Sequence, residues 1–349
     1  MPSALYVGLQ DADKIAVFSM DGAGKLAKQG EAVAAGGPSV MAVGNNRRVL
    51  YVGQRGAPAI ATFRIDPKTG ALSAAGTAAQ PHAPTFLAPD RAGRFMLVAY
   101  YQGGGAAVFR LSADGTVGAA SQDWLATAIG AHAIATDRSN RFAYVPHISR
   151  VQDNVLEPPK NIPGPNAIMQ FRFDAETGRL SAIAPPRIAQ PDLVGPRHYC
   201  FHPSLDLVYF SNEQGCSVTS YRIGAGGTLA PLQTISTLPA GFDSRNTCSQ
   251  IHLTPSGRFL YVGNRGHNSI AGFRVSDTGL LTPAGHAPTE PVPSAFCLDP
   301  EGKFLFAAGT ASGRLASYRI DGERGTLTPL AVQDVGPRPA AVAAVTLDG

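Results

Sequence analysis

Six segments along the chain share one order of apolar and polar positions: "RRVLYVGQRG", "GRFMLVAYYQ", "NRFAYVPHIS", "LDLVYFSNEQ", "GRFLYVGNRG" and "GKFLFAAGTA" align without gaps. Each is apolar enough to be a strand covered on both faces. Each is followed by an alternating run, such as "AIATFRID", "AIMQFRFD" or "SIAGFRVS", then by a turn and a short Leu-containing strand, as in "PKTGALSAAG". A further apolar strand precedes each, as in "CSQIHLTPSG". Four strands therefore recur at intervals of roughly 45 to 50 residues, the period of a propeller blade. Sustained helical periodicity is absent, and 39 Gly and 28 Pro supply the turns.

Six complete units begin near Ser39, Thr85, His132, Arg197, Ser249 and Ser294. The N-terminal "ALYVGLQDADKIAVFSMDGAGKL" holds the later strands of a unit without its first, and "RPAAVAAVTL" near the C-terminus reads as an orphan first strand. Joining them makes a seventh blade and removes two sheet edges that would invite aggregation. The expected fold is all-β, a seven-bladed propeller of four antiparallel strands per blade, occupying residues 1–349 as one domain.

The repeat also locates a rim. Gln10, Arg55, Tyr101, Ile148, Glu213, Arg265 and Thr310 share one position at the end of the second strand, preceded by Leu9, Gln54, Tyr100, His147, Asn212, Asn264 and Gly309. The innermost strands begin at Ser39, Thr85, His132, Arg197, Ser249 and Ser294, twelve residues before the repeated central position of the second strand. Antiparallel pairing brings the start of one strand to the end of the next, so both sets ring one mouth of the channel. Packing alone favours similar residues at equivalent positions. Here the rim diverges into His, Arg, Glu, Asn and Tyr while the strand interiors stay apolar.

Glu213 beside a concave mouth and flanked by arginines is a candidate general base, or a salt-bridge partner of either arginine. Alternation points His198 to the face opposite Arg197, which makes it structural; His202 and His252 read the same way, and His267 as a loop residue. The Pro-rich stretch 149–166, "SRVQDNVLEPPKNIPGPN", inserts on the mouth side of the third blade as a specificity loop or partial lid.

Charged residues form 15% of the chain, the net charge is +4, and the basic residues are dispersed. Nucleic acid is excluded as the main partner. No apolar run reaches membrane-spanning length and no leader pattern opens the chain, so a cytoplasmic protein is expected. Cys200, Cys216, Cys248 and Cys297 lack the spacing of a zinc site or disulfide scaffold and read as reduced thiols. Neither a Lys/Arg cluster nor a Gly-rich loop demands a phosphate.

With "GPRHYCFHP", "SNEQ", "STLPAGF", "LTPSGRFLYVGNRGHNSIAGFRV" and "LDPEGKFLFAAG" in this order, nearly the whole chain resembles the propeller lactonase family. That family includes bacterial 6-phosphogluconolactonases and fungal carboxymuconate lactonizing enzymes. The resemblance implies a catalytic His, Arg, Glu and Arg at His132, Arg197, Glu213 and Arg265, which are also rim positions. The chain departs from many members just after Pro146, where they carry an Asp-containing segment and it has His147 and the insertion.

The reading is a lactonase acting on a small, oxygen-rich, anionic lactone of sugar-acid type, with no cofactor and no metal. Glu213 acts as base and His132 as proton donor to the leaving oxygen, while Arg197 and Arg265 bind a substrate carboxylate or stabilise the oxyanion. Arg55, Tyr100, Tyr101, His147, Asn212 and Asn264 are candidates for orienting the substrate. Two alternatives stay open: a muconate-type lactonizing cycloisomerase, and a non-catalytic propeller that binds a partner across its face.

Overall fold

The second strands of the repeat are buried along their whole length, as in Val49–Gln54, Phe95–Tyr100, Leu207–Asn212 and Phe304–Gly309. Both faces of each are covered by neighbouring sheets, which explains why they read as continuous apolar runs. The fourth strands, such as Leu26–Val33 and Leu72–Ala79, are largely exposed and carry the polar residues. In the computed structural model, which describes residues 2–148, 155 and 164–348, seven four-stranded antiparallel sheets form the blades of a ring. Among these residues the only helix is one 3-10 turn, Gln10–Ala12, so no helix is long and apolar enough to cross a membrane. Most of the insertion 149–166, expected to act as a lid or specificity loop, lies outside the described residues.

The seventh blade closes the ring as expected. Its innermost strand is Pro339–Thr346, paired antiparallel with Ser3–Leu9 so that Leu5 faces Ala344 and Val7 faces Val342. The apolar core is divided into clusters between adjacent blades. One joins Tyr6, Val17 and Val345 of the seventh blade to Leu50 and Phe63 of the first, and another joins Leu5 and Phe18 to Phe304 and Phe306 of the sixth.

A polar tie recurs at these joints. Tyr6, Tyr51, Tyr144, Tyr209 and Tyr261 occupy one repeat position, and their hydroxyls donate to the carbonyls of Gly70, Gly115, Gly227, Gly279 and Gly325 at 2.7–3.0 Å. Each acceptor lies in a turn of the next blade at φ between 73° and 87°, a conformation that glycine adopts without a Cβ penalty.

Innermost and second strands meet at one end of the channel, where Thr247 faces Arg265, Pro196 faces Asn212 and Pro38 faces Gln54. Several innermost strands bulge just inside that end, between Pro38 and Val40, Pro196 and Tyr199, Cys248 and Ile251, and Pro293 and Ala295. A bulge interrupts strict alternation and lets neighbouring residues share a face.

Candidate active site

At this end of the channel a cavity of about 390 Å³ is lined by both rim sets. Arg55, Tyr101, His132, Arg197, Glu213 and Arg265 all reach it. Glu213 is held at the end of its strand because its N–H donates to Gly195 O and its carbonyl accepts from Cys248 N, at 2.7 and 2.9 Å. Its carboxylate lies between two guanidinium groups. Arg197 Nε donates to Oε2 at 2.6 Å within the fourth blade, and Arg265 Nη2 reaches Oε1 at 2.9 Å from the fifth. Arg265 Nη2 also donates to Cys248 O at 2.7 Å. All three side chains are at most 10% exposed.

Arg197 Nη1 and Arg265 Nε are buried without a hydrogen-bond partner, and so are His132 Nδ1 and His198 Nε2. The imidazoles of His132 and His198 meet edge to face with centroids 5.0 Å apart. Burial, and then the charge of Arg197, hold both well below the usual histidine pKa, so both are neutral at physiological pH. Burial likewise lowers Arg197 to about 10, which leaves it protonated.

Four expected substrate contacts lie elsewhere. Tyr100 is fully buried and donates its hydroxyl to Gln80 Oε1. His147 is buried with its ring nitrogens on Val145 O and Thr127 Oγ1, at 3.0 and 2.8 Å. Asn212 donates its amide to Ser217 and Thr219 hydroxyls at 2.9 Å, and Asn264 donates to Thr237 O at 2.8 Å. Alternation is the cause: the residue before each rim position points between blades, while Tyr101, Glu213 and Arg265 point into the channel.

The bulges account for two residues that repeat counting misses. His198, expected on the opposite face, lines the cavity beside Arg197, and Gln250 lines it where Ser249 was expected. Ser249 instead donates its hydroxyl to Pro293 O at 2.6 Å. Arg338, between Pro337 and Pro339, is a further lining residue outside both rim sets. The fold thus gathers Arg55, Arg197, Arg265 and Arg338 around one cavity, although no basic run exists in the sequence. Among the described lining residues Glu213 is the one carboxylate.

A family model described as a seven-bladed β-propeller lactonase matches residues 4–344. The chain is 35% identical over 350 residues to a 6-phosphogluconolactonase of Pectobacterium carotovorum, covering 100% of both. It is 34% identical to one of Klebsiella pneumoniae, covering 97% of this chain and 98% of the other. A solved periplasmic gluconolactonase of Pseudomonas aeruginosa superposes with a TM-score of 0.87 at 23% identity and covers 100% of both chains, a likeness of fold.

Proposed function

The chain belongs to the seven-bladed β-propeller lactonase family, and from that premise we propose that its cavity hydrolyses the ring ester of an anionic sugar-acid lactone without a metal ion. The observation that carries this reading is the buried Arg197–Glu213–Arg265 cluster beside His132. Adding water to a lactone carbonyl requires a base for the water, donors for the oxyanion and a proton for the departing ring oxygen. The unpartnered N–H groups of Arg197 and Arg265 are suited to the oxyanion. The Arg197 guanidinium keeps its charge at neutral pH.

The base is assigned to His132 and not, as the sequence suggested, to Glu213. Both Glu213 oxygens already accept from arginine, whereas His132 is neutral and its Nδ1 has no partner. His132 takes a proton from water as the C–O bond forms, and the resulting imidazolium returns it to the ring oxygen as that bond breaks. Glu213 fixes the two guanidinium groups and offsets part of their charge. A divalent cation drawn to Glu213 would meet both of them and few hard oxygen ligands. The surplus of arginine over carboxylate supports an anionic substrate, and the names of the curated relatives point to gluconate-type lactones.

Arg265→Lys tests the reading on 6-phosphogluconolactone and gluconolactone, with acid release and melting temperature measured together. The variant keeps a charge facing Glu213 but loses the planar fork of donors. Turnover per folded molecule should fall on the order of a hundredfold, with chelators leaving the parent protein's rate unchanged. Near-normal turnover with a lowered melting temperature would reduce Arg265 to a fastener acting through Cys248 O.

A further inference from the structure

Three residues past the rim position, five blades turn from the second strand to the third through a left-handed residue: Asp13, Gly104, Cys216, Asn268 and Gly313, with φ between 44° and 72°. Glycine adopts this backbone freely, and the short polar side chains of Asn and Asp ease it. Cysteine has neither advantage, so Cys216 stands there at a local cost, just beyond Glu213. Strain beside a functional group is an observation that points to a role for the strained side chain.

The Cys216 sulfur lies in the joint between the fourth and fifth blades. Its thiol donates to Asn246 O at 3.2 Å, and the Asn246 amide donates back to the sulfur at 3.3 Å. The same amide reaches Asn264 Oδ1 at 3.3 Å, on which the Thr237 hydroxyl and the Cys248 thiol also converge, at 2.9 and 3.6 Å. Thr237 Oγ1 lies 3.1 Å from Cys248 Sγ, and Thr237 N donates to Cys216 O at 2.9 Å. Cys216 packs against the apolar cluster that contains Cys248, and the two thiols hydrogen-bond each other. That bond, opposed by burial and helped by the Asn246 amide, draws the Cys216 thiol down to about 7, whereas burial pushes Cys248 well up. All four cysteines are free thiols, and Cys216 is half-buried while Cys248 is fully buried. Burial raises the other two, Cys200 and Cys297.

Cys248 also holds both members of the central ion pair through its backbone. Its N–H donates to Glu213 O at 2.9 Å, and its carbonyl accepts from Arg265 Nη2 at 2.7 Å. We propose that Cys216 and Cys248 form a peroxide-sensitive thiol pair whose closure to a disulfide acts on Glu213 and Arg265. The Cys216 thiolate attacks one oxygen of a peroxide: the O–O bond breaks, an S–O bond forms, and the other oxygen takes up a proton and leaves as water or an alcohol. The Cys248 sulfur then attacks the Cys216 sulfenic sulfur. The S–S bond forms, the S–O bond breaks, and the hydroxyl leaves as water with the proton of the Cys248 thiol. Together the sulfurs give up two electrons, which the peroxide oxygens take. Drawing the Cys248 side chain toward Cys216 breaks its contacts with Thr237 and Asn264 and shifts the carbonyl that holds Arg265. The thiol chemistry stands apart from the lactonase reading, and its effect on turnover rests on that reading.

The full-length protein is treated with hydrogen peroxide, its remaining thiols are alkylated under denaturing conditions, and its peptides are mapped by mass spectrometry. A Cys216–Cys248 cross-link should form, disappear with dithiothreitol, and leave Cys200 and Cys297 alkylated. Cys248→Ser should stop at a sulfenic acid on Cys216 that dimedone traps. Cys216→Gly supplies the residue that Gly104 and Gly313 provide in other blades, so it should keep the fold, leave Cys248 unoxidised and make turnover insensitive to peroxide. In the parent protein, turnover on gluconolactone should fall roughly ten- to a hundredfold on closure and return with reductant. No cross-link, or one through Cys200, would overturn the pairing. A cross-linked protein with undiminished turnover, or a Cys216→Gly protein that peroxide still inactivates, would overturn the coupling to the site. Absence of turnover by the reduced parent would instead count against the lactonase reading, with the cross-link still deciding the thiol pair.

Discussion

At the scale of single residues the site is governed by what burial does to histidine. His132 and His198 are kept neutral by burial and by Arg197, and burial alone lowers His147 and His252 to about 4. For catalysis the sign is simple: a neutral base works above its own pKa, so the depressed pKa of His132 keeps it competent below about pH 6.5, where an ordinary histidine would be mostly protonated. For stability the same depression acts in the other direction. The unfolded chain takes up protons near pH 6.5 that the folded one refuses, so the contribution is complete above that pH and is lost as pH falls toward the folded values. Between pH 7.5 and about 6, turnover should stay level, and below about 6.5 the melting temperature should decline. His132→Gln should lower turnover on the order of a hundredfold or more and flatten part of that decline. A rate that halves near pH 6.5 in both proteins would move the base away from His132.

At the scale of strands and blades, the repeated tyrosine hydroxyl is the polar counterpart of the apolar joints. Tyr261 illustrates it: the ring is buried, and its hydroxyl satisfies the Gly325 carbonyl at 2.9 Å. Tyr261→Phe should cost about 1 kcal/mol, and the same change at Tyr51, at a joint on the other side of the ring, should add to it within about 0.5 kcal/mol. Denaturant midpoints of the two single variants and the double variant check this. No loss at either site would leave the ties without energetic weight. Leu97 and Phe306 fill the same repeat position without a hydroxyl, so the apolar joint is complete without the tie. The same features decided what could be read from the sequence. Strands covered on both faces leave apolar runs, and equal spacing placed Glu213, Arg265, Arg197 and His132 on one rim. Repeat counting cannot register a bulge, which is why His198 and Gln250 were misplaced. It also grouped Asn212, Asn264 and Tyr100 with rim neighbours that alternation turns the other way. Arg338 reaches the cavity only through closure of the ring, a contact that no local pattern encodes.

At the scale of the whole molecule, the proposed catalytic wall should depend on a strand that contributes none of its residues. His132, Arg197, Glu213 and Arg265 belong to the third, fourth and fifth blades, while Pro339–Thr346 is the innermost strand of the seventh. That strand covers the edge of Ser3–Leu9, and its Ala343 and Val345, with Leu347 just beyond it, pack with Tyr6 and Leu50 in the seam to the first blade. Deleting residues 338–349 would leave an unpaired strand edge and strip apolar cover from both seams of the seventh blade. Because adjacent blades pack only on each other, an open seam lets the ring relax along its circumference, and the Glu213–Arg265 pair spans one of the joints that would move. The truncated chain should therefore melt at a lower temperature, associate through its exposed edge, and lose turnover even though every proposed catalytic residue is still present. A peptide of residues 338–349 added in trans should recover part of both properties. Melting, size-exclusion and turnover measurements on the truncated chain, with and without the peptide, test this together: a truncated protein that stays monomeric, melts with the intact one and keeps its rate would show that the propeller holds its catalytic wall without being closed.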